Sequence, residues 1–194
     1  MARMADELAD LYPAGRLGRA AAAAGEAGLG ALLLTPGPDL RYVIGYDANQ
    51  LERLTCLAIP AAGPPFLVVP RLELPAAQAS PAGGLGLEII PWDETDDPYT
   101  LVAGRLGASG GSGGASARAG IASVGLADRM WALMVLRLRE VLPDARQGLA
   151  STALRGLRIP QVRRGGRGAS RGRGRHRPRA RPGPRLAAAR PDRA

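Results

Sequence analysis

Few side chains in this sequence could do covalent or acid–base chemistry, and their types exclude most of it. The 194 residues contain one cysteine, Cys56, one histidine, His176, and no lysine, since all 26 basic side chains are arginine. Without lysine there is neither a P-loop cation nor a Schiff-base amine. Gly107-x-Ser109-x-Gly111 and the overlapping Gly110-x-Ser112-x-Gly114 both spell a nucleophile elbow. That elbow needs a strand before it, a helix after it and a histidine base. His176 stands between Arg175 and Arg177, where a divalent cation would meet a dense positive field. The serine pattern therefore reads as a Gly/Ser linker. Cys56 lacks a base as well, and core packing is the simpler reading. The last group is acidic. Asp93, Glu94, Asp96 and Asp97 could converge on a metal, but carboxylates just ahead of a helix more commonly take its free N–H groups and complement its dipole.

The elements that would position these residues are organised around Leu29–Asp47. Gly30–Thr35 is a continuous apolar run, as in a strand covered on both faces. Pro36, Gly37 and Pro38 end it. Asp39 is placed to accept backbone N–H bonds at a helix start, Leu40, Val43 and Ile44 have helical spacing, and Gly45 closes the helix in a left-handed conformation. Ahead of this, residues 3–11 predict a short amphipathic helix stopped by Pro13. Arg16–Ala27 predicts a second, with Leu17, Ala20, Ala21, Ala24 and Ala27 on one face and Gly28 as its stop. After it, Leu54–Pro60 and Phe66–Pro70 read as a hairpin of buried strands. Leu72–Ala79 reads as a helix with Pro75 in its first turn, Leu87–Trp92 as a strand, and Tyr99–Leu106 as a helix opened by Asp97 and Pro98. Residues 107–116 form a glycine-rich loop. Ala119–Val124 predicts a strand, and Asp128 opens the longest helix, with Met130, Leu133, Met134, Leu138, Val141 and Leu142 as its apolar stripe. Ala145–Leu149 is a weak edge strand, and Ser151 caps a last helix, Thr152–Leu157. Strands alternating with helices predict an α/β fold with a mixed or parallel sheet.

Charge divides the chain in two. Residues 1–160 hold 14 arginines against 16 acidic side chains, whereas 161–194 hold 12 arginines and one acid, Asp192. The net charge of +9 is thus a property of the C-terminal stretch, and the body is mildly acidic. A single cysteine forbids an internal disulfide. The acidic N-terminus is unlike a signal peptide, and no apolar run is long enough to span a bilayer, so a cytoplasmic location is expected.

The segment PGPDLRYVIGYD resembles the "P-x-N/D-I/L-R-Y-L-T/S-G-F/Y" stretch of the creatinase, prolidase and aminopeptidase P group. LERLTCLAIP at 51–60, FLVVPRLE at 66–73, EIIPWDETDDPY at 88–99 and LADRMWALMVLRLREVLP at 126–143 are similar to the same family in the same order. The resemblance implies that residues 1–158 hold the family's N-terminal domain, a ribonuclease-H-like mixed sheet flanked by helices. In the family this domain is non-catalytic, helps form a homodimer and shapes a substrate entrance. It also implies that Xaa-Pro peptidase chemistry belongs to a separate C-terminal domain, where two metal ions such as manganese sit on two Asp, one His and two Glu around a bridging water. No cofactor or metal site is expected in this chain, and no turnover from it alone. Tyr46, Asp47, Arg53 and Trp92 fall at predicted strand or helix ends, where α/β sheets present ligand groups. They are the candidates for contact with a partner's active site.

Residues 159–194 read as an Arg/Gly/Pro-rich disordered tail. Its RG spacing allows a second reading, an RNA-binding adaptor with salt-dependent but non-specific affinity, although no aromatic follows Trp131 to stack on bases. An out-of-frame origin fits better. Permitted codons from Gln161, shifted by one base, give a string that resembles the family's linker helix into its catalytic domain.

Overall fold

A computed structural model describes residues 15–109 and 121–158. Its strands are Ala31–Leu34 (β1), Cys56–Pro60 (β2), Phe66–Pro70 (β3), Glu88–Trp92 (β4), Ser123–Leu126 (β5) and Arg146–Leu149 (β6). They form one sheet in the order β4-β3-β2-β1-β5-β6. β2 runs antiparallel to β1 and β3, and the other neighbours are parallel. The fold is therefore the expected α/β class with a mixed sheet.

The apolar runs of β1 to β3 are fully buried, because helices cover both faces of the sheet. Side-chain alternation sorts each strand between two cores. On one side Leu32, Leu34, Leu57, Ile59, Leu67 and Val69 meet Gly15–Glu26 (α1), Pro38–Ile44 (α2), Leu74–Ala79 (α3) and Ser151–Arg158 (α6). On the other, Leu33, Cys56, Ala58, Phe66 and Val68 meet Pro98–Ser109 (α4) and Ala132–Val141 (α5). The alanine face of α1 lets it lie close, with Ala20 and Ala24 fully buried. Gly28, at φ 69°, turns the chain out of α1 and lets Leu29 N–H reach Ala24 O at 2.8 Å. Gly45 closes α2 in the same left-handed region, at φ 74°.

Several boundaries differ from the sequence expectation. The N-cap position of α2 falls on Gly37 with no side-chain cap, and Asp39 lies one residue inside the helix, where its charge still complements the dipole. The 72–79 helix is a 3-10 turn, Arg71–Glu73, continued by α3 with Pro75 in its first turn. α4 runs through Gly107 to Ser109, so the first half of the nucleophile-elbow pattern is helical, while 110–120 lies outside the described residues. β5 begins at Ser123, and α5 begins at Ala132 after Trp131. Asp128 does not open α5, because its Oδ1 accepts the N–H of Ser151 at 3.2 Å. Ser151 is thus the first residue of α6 and its backbone is the donor. α5 is 10 residues long, shorter than α1 and α4 at 12 each. Of its expected stripe Met134 and Leu138 are buried, whereas Leu133 is 54% exposed. The 3–11 helix and the 159–194 tail lie outside the described residues.

Candidate functional site

Strand polarity decides what gathers at each end of the sheet. The register pairs Leu34 with Leu57, Cys56 with Val68, Pro70 with Trp92, Leu33 with Leu126 and Leu126 with Leu149. Five strands therefore finish at one end, and β2 starts there. The connections at that end carry all four sequence candidates, Tyr46, Asp47, Arg53 and Trp92, together with Arg71, Glu73, Asp93, Glu94 and Asp128. This is where an α/β sheet presents ligand groups.

The four candidates share that end but not one cavity. Tyr46 is 5% exposed and packs in the core below α2. Its phenol is pushed up to about 12 by burial, with the charge of Glu73 and a hydrogen bond to it adding to the shift. Glu73 Oε2 also accepts the hydroxyl of Thr55 at 3.0 Å. Trp92 is 7% exposed and belongs to the opposite core, where its Nε1 donates to Leu54 O at 2.9 Å. Asp47 pairs with Arg41 at 3.3 Å and Arg53 with Glu94 at 3.2 Å. These two candidates are the ones that present polar groups to solvent.

The acidic loop serves the fold. Arg71 holds Asp93 through two bonds, of 2.5 and 2.7 Å. The hydrogen bonds from Arg71, with its charge adding to them, outweigh desolvation and lower the Asp93 carboxyl below its ordinary range. Asp96 accepts the N–H of Asp93 at 2.8 Å. Asp97 caps α4, accepting Tyr99 N–H at 3.0 Å and Thr100 Oγ1–H at 2.8 Å. Desolvation opposes ionisation of Asp97, but the bonds from Thr100 and Tyr99 and the charge of Arg137 outweigh it and lower its pKa.

Among the described residues no group of three or more His, Cys, Asp or Glu side chains is arranged to hold a metal ion. Three of the acidic-loop carboxylates are committed to Arg71, to a backbone N–H and to a helix cap. The two-metal centre implied for full-length relatives therefore does not fit these residues, and no step runs through it. Cys56 is completely buried and its thiol is pushed up to about 12, so it supplies no thiolate at neutral pH. What remains at this end can bind through charge, hydrogen bonds and shape. Sequence reasoning missed Arg71 and Glu73; both follow directly from β3 ending at Pro70, so strand direction was the signal that could have found them.

A ribonuclease-H-like mixed sheet, with helices on both faces and its polar connections at the carboxyl end, defines the class. The chain belongs to the creatinase/prolidase N-terminal domain family, whose model matches residues 16–159. It is 44% identical over 151 residues to the probable dipeptidase PepE of Mycobacterium bovis and of Mycobacterium tuberculosis, a match covering 78% of this chain and 37% of theirs. The solved dipeptidase PepE of Mycobacterium ulcerans superposes with a TM-score of 0.68 at 43% identity, over 80% of this chain and 38% of that one. The creatinase/prolidase N-terminal domain of an X-Pro dipeptidase from Streptococcus pyogenes shares the fold at a TM-score of 0.58 and 12% identity, over 74% of this chain and 99% of its own. The chain thus spans little more than a third of the length of its mycobacterial relatives. No described helix is long and apolar enough to cross a membrane.

Proposed function

We propose that this domain is the non-catalytic N-terminal part of an Xaa-Pro dipeptidase-type metallopeptidase, pairing as a homodimer through its α/β body and walling the entrance to a peptide site. The observation that carries this reading is the 44% identity to probable dipeptidases, confined to 37% of their length. Peptide hydrolysis then belongs to the part of the relatives that this match does not reach. The carboxyl end of the sheet suits an entrance wall, because the solvent-facing pairs Arg41–Asp47 and Arg53–Glu94 place both signs of charge there, where a short peptide's two ends can exchange with one partner of each. Buried Tyr46 and Trp92 hold the segments that carry them.

A fusion of this chain to the unmatched part of the mycobacterial relative tests the proposal. Proline release from an Xaa-Pro dipeptide is expected from the fusion and not from the chain alone. Arg53→Ala in the fusion is expected to raise KM several-fold with kcat nearly unchanged, the pattern of a lost binding contact. Full turnover by the isolated chain, or a fusion indifferent to Arg53→Ala, Asp47→Ala and their combination, would overturn it.

A further inference from the structure

Gly15 begins α1 at the carboxyl end of the sheet. Arg16 donates there to Tyr42 O of α2 at 2.7 Å, whereas Gly25, near the other end of the helix, lies beside Ala61. Residues 1–14 therefore join the domain at the carboxyl end. The same end exposes Leu51 at 42%, Trp131 at 40% and Leu149 at 56%, which stand ahead of β2, past β5 and at the end of β6. Two hydrogen bonds gather these segments. Gln50 Nε2 donates to Arg129 O at 2.8 Å, and the N–H of Ser151 donates to Asp128 Oδ1 at 3.2 Å. Both hold their segments against the turn that leads into Trp131. Met130 of that turn packs against both cores, so the turn crosses the end of the sheet from the face of α1 to the face of α5. Arg129 and Arg155 of α6 are exposed, and neither forms an ion pair among the described residues.

We propose that residues 3–11 of this same chain occupy that surface, docking as an amphipathic helix with Met4, Leu8 and Leu11 on Leu51, Trp131 and Leu149. The i, i+4, i+7 spacing sets the three apolar residues on one helix face, and Glu7 and Asp10 border it. Charge selects this occupant. Residues 1–14 hold three carboxylates, Asp6, Glu7 and Asp10, against a single arginine, Arg3. The segment is thus complementary to the unpaired Arg129 and Arg155. Its length suits the distance. Residues 12–14 can span about 10 Å, and a helix over 3–11 covers about 14 Å. β5 and β6 stand one and two strands from β1, about 5 and 10 Å away. So short a helix is marginal by itself and forms by burying its apolar face. The contact is intramolecular, and it is independent of the metallopeptidase reading and of any pairing between chains.

The experiment follows acrylamide quenching and the emission maximum of tryptophan in the full chain. The protein has two tryptophans, and Trp92 is buried in the core, so the quenchable fraction reports Trp131. Wild type is expected to shield Trp131 equally at every protein concentration. Leu8→Glu, Leu11→Glu and removal of residues 2–14 are each expected to raise its quenching several-fold and to shift its emission to the red. Trp92 should stay shielded in all three, which shows that the sheet is still folded. Arg129→Glu is expected to loosen the segment, and Glu7→Arg added to it to restore the shielding by reversing the pair. Equal quenching of Trp131 in wild type and all these variants would overturn the proposal. So would shielding that grows with protein concentration and survives Leu8→Glu, which assigns the surface to a second copy. Loss of shielding in Arg129→Glu that Glu7→Arg deepens would overturn it as well.

Discussion

The hydroxyl of Tyr42 donates to the backbone oxygen of Leu157 at 2.6 Å, joining α2 to the end of α6 across 115 residues of sequence. Arg16 of α1 completes the junction, with its Nη1 donating to Tyr42 O at 2.7 Å and its guanidinium lying 4.7 Å from the centre of the Tyr42 ring. Three helices on one face of the sheet are thereby held at a single residue, and α6 is the last described element.

Tyr42→Phe keeps the ring and removes only the bond to Leu157. A loss of about 1 kcal/mol is expected, concentrated in α6. Hydrogen exchange should show the α6 amides opening roughly five- to tenfold faster while β1 to β3 keep their protection. Uniform acceleration through the sheet would show that the bond is not a local tie.

Asp97→Ala removes the cap of α4. The expected cost is about 0.5–2 kcal/mol, read from the denaturant midpoint at neutral pH. Because the folded pKa of Asp97 is lowered, its contribution is present above the unfolded value of 3.8 and fades as pH falls through the folded value. Wild type and variant should therefore converge in acid.

The legible parts of the fold were those where one residue answers for its own surroundings. The apolar run before Pro36, the stop at Gly45, the hairpin through Gly63, the weak edge strand after Pro143 and the Asp97 cap all follow from local rules. Asp128 shows the limit. Next to a helical pattern it reads as a cap, yet its carboxylate serves Ser151, 23 positions away in sequence and brought near only once β5 and β6 have paired. Leu133 failed for a related reason. Only a narrow face of α5 touches the sheet, and Arg137 on its flank is occupied with Asp97 and the Tyr99 ring of α4. The candidate site was legible in kind, as strand ends rich in polar groups. Trp92 enters one core through side-chain alternation in β4, whereas Tyr46, just past the Gly45 stop, enters the other, and no motif marks either choice.

Gly125 of β5 sits where a Cβ would come within 2.8 Å of Leu29 Cδ1, 2.9 Å of Leu32 Cδ2 and 3.3 Å of Ala150 Cα. Gly125→Ala is expected to destabilise by about 1–3 kcal/mol through overpacking, seen as a lower melting temperature with unchanged far-ultraviolet dichroism.

Cys56 and Tyr46 make the fold sensitive to alkali. The unfolded thiol and phenol titrate near 9.0 and 10.0, whereas each is pushed up to about 12 in the fold. Above pH 9 the unfolded chain therefore binds fewer protons than the native one, so stability is whole below that pH and falls as pH rises toward about 12. Denaturant midpoints across this range should decline, and Tyr46→Phe should flatten the part above pH 10. Native Cys56 should resist a thiol reagent at pH 8 and react at once in denaturant. Fast native labelling would contradict the burial.

We propose that this chain is a scaffold, the described residues of which hold no metallopeptidase centre. Manganese titration of the purified full chain by calorimetry, with proline release from an Xaa-Pro dipeptide followed in the same sample, tests it most directly. No stoichiometric uptake and no release are expected. Tight binding of two ions per chain accompanied by cleavage before proline would contradict the account.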